Sequence, residues 1–143
     1  MKKLFNTNYN HGALDVALLI LRVGIAIMMI THGYPKLVKL LSGEEIKFAD
    51  PYGMGVYLSI LLAVFAEIGC SILIFLGLAT RLATIPLIIT MLTTVFIIHA
   101  EDGFGVQELS LHYLIVYVFL LISGAGRFSI DSLIGTNKGR RRR

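Results

Sequence analysis

Cysteine is nearly absent from this chain. Cys70 is the only one in 143 residues, which excludes an intramolecular disulfide framework, a CxxC redox pair and a cysteine-based zinc site. Charge is scarce as well: Asp, Glu, Lys and Arg make up 15%, against roughly 25% in an ordinary soluble domain. A chain this small, with 56% hydrophobic residues, has too little polar surface to cover a core. A cytosolic globular enzyme, a disordered protein and a nucleic-acid module are excluded. Internal repeats and low-complexity segments are missing too, apart from a basic tail. So is any motif for binding flavin, haem or an iron–sulfur cluster. What remains is a set of long apolar runs, a mean hydropathy of +0.79, and length for one domain.

A helix that crosses a bilayer needs about 20 mostly apolar residues, with roughly 17–25 tolerated. Four runs qualify, near Leu14–Thr31, Met54–Ala79, Leu82–His99 and Gln107–Gly124. None alternates in the way a barrel strand would. The fold class expected is an all-α membrane protein, a four-transmembrane-helix bundle over residues 1–135 with a basic tail at 136–143. Thr80-Arg81 leaves almost no loop, so the second and third spans form an antiparallel hairpin. In the longest connection, Lys36-Leu37-Val38-Lys39-Leu40-Leu41 reads as a short separate helix lying on the membrane surface.

Orientation follows from Lys and Arg. Nine basic residues, Lys2, Lys3, Arg81, Arg127, Lys138 and Arg140 to Arg143, fall on the side of the termini; Lys36, Lys39 and Lys47 fall on the other. Both termini are therefore expected in the cytoplasm of a bacterial-type inner membrane, with the bilayer as the first partner and no nucleic acid. Tyr34, Tyr52, Tyr57 and Tyr113 stand near the outer span ends, as an aromatic belt would.

Two ionisable residues lie inside the runs, Arg22 in the first and Glu67 in the second. Each costs several kcal/mol in hydrocarbon when unpaired, about 2.5–3.5 on insertion scales. Their matched depth predicts a pair, either fixing helix register or forming the charged floor of a cavity. Ala63, Glu67 and Ser71 recur every fourth residue and predict a stripe facing the bundle. His32, His99 and His112 fall at the outer level, with Glu108 one turn from His112. These groups can form a shared hydrogen-bonding or proton-relay site, or simply meet water and headgroups; their spacing is not a metal signature. Asp15 reads as a helix cap or headgroup contact, and Pro86 as a first-turn residue. Thr90, Thr93 and Thr94 are expected to return their hydroxyls to the preceding turn.

Taken in order, the motifs resemble those of the DoxX family. Arg22-Val23-Gly24 with His32-Gly33-Tyr34-Pro35-Lys36-Leu37 is similar to its first-helix pattern and HGxxKL. Glu67-Ile68-Gly69 with Gly77-Leu78-Ala79-Thr80-Arg81 is similar to ExxG and GLxTR. Gly124 to Asp131, GAGRFSID, is similar to its closing GPGRxSLD, with Ala125 in place of the usual Pro; Cys70 stands where a second Gly is common. The resemblance implies four membrane helices and an association with redox systems, since some relatives are subunits of thiosulfate:quinone oxidoreductases. An electron acceptor would be a diffusing quinone or a partner's cofactor. The expected function is an integral membrane subunit of a redox-linked system with a quinone-like or small-molecule pocket. Its candidate residues are Arg22, His32, Glu67, His99, Glu108 and His112. The alternatives are a non-catalytic anchor or assembly partner of another protein, and a small transporter. A protein partner or a homo-oligomer is expected in each case.

Overall fold

Apolar residues on every face leave each backbone N–H and C=O to be satisfied within its own segment, and in lipid that selects helices. The computed structural model describes residues 10–43 and 45–140. They form four helices long and apolar enough to cross a membrane: α1 (His11–Leu41), α2 (Val56–Leu76), α3 (Thr80–Ile98) and α4 (Phe104–Ser123). A fifth helix, α5 (Ile130–Arg140), follows. No strand occurs among the described residues. The chain is thus an all-helical, multi-pass membrane protein whose apolar flanks meet lipid. Lys2, Lys3 and Arg141 to Arg143, used above in weighing topology, lie outside the described residues.

The bundle end holding the start of α1 and the end of α4 is called proximal here, and the opposite end distal. Asn10 caps α1, its side chain accepting from Ala13 N at 3.2 Å. Asp15, expected as a cap, instead accepts from Arg127 N at 2.9 Å, because the helix begins at His11, before the apolar run.

The largest correction concerns the other end of α1. Lys36–Leu41 is not a separate surface helix but the last part of α1, which continues through Pro35. Proline removes only one backbone donor, and the helix is held on both sides of it. Gly33 packs directly on Glu67 and Ile68, where a Cβ would come within 2.7 Å of Ile68 Cγ1, and Lys36 pairs with Glu67. The helix stops where Ser42 and Gly43, at φ +71°, turn the chain.

The hairpin of α2 and α3 closes as expected. Gly77 adopts φ +68° and donates to Ile74 O at 3.0 Å, while Leu78 N donates to Leu73 O at 2.9 Å, a left-handed glycine stop. The third helix then begins at Thr80, so Pro86 sits in its second turn rather than its first. α1 packs along the whole of α2, and α3 along α4. α3 packs on Phe65–Leu76 of α2; toward the distal end Val56–Val64 stands farther from α3. Each of these two helices contains a π-helical stretch, Phe65–Cys70 in α2 and Thr94–Ile98 in α3. Such a wide turn shifts the helix face by one residue. Glu67 and Ser71 are both buried. The core between the helices includes Ala26, Met29, Ile74, Leu87, Tyr117 and Leu120.

Candidate functional site

Glu67 is 2% exposed and lies where α1 and α2 approach most closely, opposite Gly33. Its partner is Lys36, whose Nζ donates to Glu67 Oε1. The lysine is half-buried and also stands 5.9 Å from the centre of the Phe48 ring. Glu67 Oε2 is buried and has no protein donor among the described residues. A buried acceptor left this way costs about 1–3 kcal/mol, so the geometry favours an occupant that donates a proton to it.

Two cavities share this pair as a wall. One, of about 140 Å³, lies in the gap between the distal parts of α2 and α3, with Leu62, Ala63, Thr90 and Thr93 on its sides and Phe48 and Tyr52 as its roof. The other, also about 140 Å³, is lined by His32, Met91, Ser110 and Tyr113. His32 meets Tyr113 edge-on at 5.7 Å between ring centres, and Tyr113 stacks on the buried Tyr117 at 6.2 Å. Tyr113 therefore turns inward and is not part of a belt; Tyr34, Tyr52 and Tyr57 are exposed. The threonines behave as read from sequence. Thr90, Thr93 and Thr94 donate to Pro86 O, Ile89 O and Thr90 O at 2.9, 2.8 and 2.8 Å.

The roof is tied down by Asp50. Its carboxylate accepts from Ser59 Oγ at 2.8 Å, Gly55 N at 2.8 Å and Met54 N at 3.0 Å. These donors, Ser59 first, hold Asp50 below the ordinary aspartate range. Lys39 Nζ donates to Lys47 O and anchors the other side of the connection.

Arg22 is not in this site. It does not pair with Glu67: its Nη2 donates to Phe128 O at 2.6 Å, and it lies against Gly77 and Ser129 at the proximal end. The matched depth failed because α1 runs ten residues beyond the expected end, so its middle is not the middle of the apolar run. Gly33, not Arg22, faces Glu67, and the 11 residues between place Arg22 about 16 Å away along the axis.

Around Arg22 the remaining motif residues form a polar knot. Asp131 accepts from Ala79 N at 2.6 Å and Thr80 N at 2.9 Å, capping α3, and its own N–H donates to Gly77 O at 2.8 Å. Arg81 Nη2 donates to Ile122 O at 3.1 Å. The GLATR and GAGRFSID segments thus fasten the proximal end, which is a structural task.

His99, Glu108 and His112 do not join His32. His99 Nδ1 lies 2.6 Å from Asp102 Oδ2, and its carbonyl accepts from Gln107 Nε2. His112 is exposed and bonds within its own helix, to Glu108 O at 2.8 Å; Glu108 faces outward. None of the three lines either cavity around Glu67. Of the six candidates, the structure brings together His32 and Glu67. Sequence reasoning missed Lys36, Tyr52, Thr93 and Tyr113 as members of the site. Lys36 was within reach of it, since it lies one helical turn beyond His32, but the apolar run ends at Thr31 and leaves Lys36 in the connection.

Comparison with known proteins agrees with this architecture. The DoxX family model matches residues 17–100. An uncharacterized protein of Haemophilus influenzae is 30% identical over 122 residues, covering 78% of this chain and 86% of that relative. A second uncharacterized protein of the same organism is 32% identical over 76 residues, half of each chain. No solved structure matches. With the family model covering more than half of its length, and four membrane helices in place, the chain belongs to the DoxX family.

Proposed function

We propose that this DoxX-family chain is the membrane subunit of a redox-linked system, and that the cavities around Lys36 and Glu67 receive a quinone-like molecule. The observation that carries the binding half is the buried Glu67 carboxylate, with one oxygen held by Lys36 and the other without a donor among the described residues. An ionisable residue at membrane depth most often marks a substrate or proton path. A cavity of about 150 Å³ accepts a benzene-sized ring, and the two beside Glu67 are each about 140 Å³. The family resemblance supports the redox half.

In this reading Lys36 orients the carboxylate and offers a donor to a ring oxygen. Glu67 takes up or gives the proton that ring chemistry requires. The second cavity, with exposed His32 at its wall, is the route by which that proton reaches the distal surface. Electrons pass to a partner protein's cofactor, since the sequence carries no cofactor motif. The distribution of basic residues supports cytoplasmic termini and a site in the outer leaflet of a bacterial inner membrane.

The test is to purify the protein from its native membrane and identify the small lipids that come with it. A prenylated ring compound should accompany the unaltered protein and be lost from Glu67→Gln and Lys36→Met. Its retention by both variants would contradict the proposal, as would its absence from the unaltered protein after reconstitution with native lipid.

A further inference from the structure

We infer that the occupant of the cavity between α2 and α3 is a membrane amphiphile with a hydroxylated aromatic head, bound in its reduced form and entering sideways from the lipid. This rests on the ring-binding reading above and narrows it to one redox state and one route.

The route follows from how the helices diverge. α2 and α3 are joined at Gly77-Leu78-Ala79 and packed together along Phe65–Leu76 of α2, so their distal parts form a notch. Leu62 on one side of it is 46% exposed, and Ile89 on the other is 53% exposed. Ile89 is halfway along α3, at a depth that only lipid reaches. The connection bearing Phe48 and Tyr52 roofs the distal end. An apolar chain therefore stays in the bilayer while its head reaches Glu67.

The redox state follows from counting protons on the wall. Five hydroxyls line this cavity: Tyr52, Ser59, Thr90, Thr93 and Thr94. Thr90, Thr93 and Thr94 donate to carbonyls of their own helix. Ser59 donates to Asp50. Tyr52 lies 2.6 Å from Thr93 Oγ1; the threonine's single proton is engaged with Ile89 O, so Tyr52 is the donor of that pair. Each hydroxyl has thus used its only proton and offers only lone pairs. Glu67 Oε2 is a further acceptor. Among the side chains that line the cavity, Lys36 is left as the donor. An oxidised quinone, which only accepts, finds one complement here. A dihydroxy ring brings protons to Glu67 and to the tyrosine or threonine oxygens. Such a site discriminates against a ligand without donors, because Glu67 Oε2 is then left unpaired.

The experiment uses the full chain in lipid nanodiscs and three probes carrying the same decyl chain: a para-dihydroxybenzene kept reduced, its dimethyl ether, and the para-benzoquinone. The dihydroxy probe should bind at least tenfold more tightly than the other two. That preference should fall in Glu67→Gln. It should also fall several-fold in Tyr52→Phe, which removes an acceptor from an exposed roof residue and places no load on folding. Filling the notch with Ala63→Phe should weaken binding of the dihydroxy probe. Equal binding of all three probes would overturn the inference while leaving a ring-binding site in place; absence of binding by any of them would overturn both. A preference unchanged in Tyr52→Phe and Glu67→Gln would remove the acceptor argument, and binding unchanged in Ala63→Phe would remove the lateral route.

Discussion

At the scale of the residue, one ion pair organises the distal half of the bundle. Lys36→Met leaves Glu67 buried without a counter-charge, and Glu67→Gln leaves Lys36 facing a neutral amide. Breaking a buried pair costs about 3–5 kcal/mol when one partner is removed; here about 3 is expected, because Lys36 is half-buried. The double variant Lys36→Met with Glu67→Gln should lose less than the two single losses added together. Detergent-unfolding midpoints of the three variants check this, and strictly additive losses would mean that the pair contributes no coupling. Arg22→Lys with either should be additive, since the two sites share no partner. That a charge at Glu67 needed a partner was legible in the sequence, because the price of an isolated carboxylate in hydrocarbon is independent of fold. Which partner was not legible. It depended on where α1 ends, and the end of the apolar run is a poor guide to that when packing keeps the helix going.

His32 makes a sharper case at the same scale. It is exposed and meets Tyr113 through a ring edge, so His32→Ala should leave stability within about 0.5 kcal/mol. If it passes protons between Glu67 and the surface, proton release on ligand turnover should slow at least tenfold in the variant, as read with a pH dye. His99→Ala and His112→Ala should leave that rate unchanged, since both histidines turn to local partners away from the cavities.

At the scale of the element, turns and helix ends carry most of the specification. Gly77 is fixed twice over: it adopts φ +68°, and a Cβ there would overlap Arg22 Nη1 and come within 2.6 Å of Ser129 Cβ. Gly77→Ala should cost about 3 kcal/mol, from left-handed strain and overpacking together, visible as a lower melting temperature with the distal site unaltered. The opposite end has its own device. Asp50 is held ionised by its three donors, so its folded pKa lies below its unfolded one. A depressed carboxylate contributes stability at pH above the ordinary aspartate value, and that contribution is lost as pH falls through the folded value. Amide protection over residues 50–56, taken as the exchange rate relative to that of an unprotected amide at the same pH, should accordingly fall on acidification, and Asp50→Asn should lower it at neutral pH as well. Helix number and the hairpin of α2 and α3 were legible from the apolar run lengths and the short gap between them. The π-helical stretches and the notch they border were not, since an extra residue in a turn leaves no mark on hydropathy.

At the scale of the whole molecule, the two ends of the bundle divide the work. The proximal end is a knot of motif residues, Arg22, Gly77, Arg81 and Asp131 with the carbonyls of Ile122 and Phe128, that holds four helices in register. The distal end leaves α2 and α3 apart and keeps a charge between two cavities. The sequence motifs were recognisable at both ends, yet only the structure separates those that hold the fold from those that face a ligand. Two residues read together as a pair, Arg22 and Glu67, belong to different ends. The claim that Glu67, held by Lys36, is the group that meets the ligand is tested most directly by infrared difference spectroscopy of the protein in lipid. Adding an alkylated para-dihydroxybenzene should perturb a side-chain carboxylate band, and that band should vanish from the difference spectrum in Glu67→Gln while persisting in Arg22→Lys. A spectrum with no carboxylate change, or one unaltered in Glu67→Gln, would contradict the account.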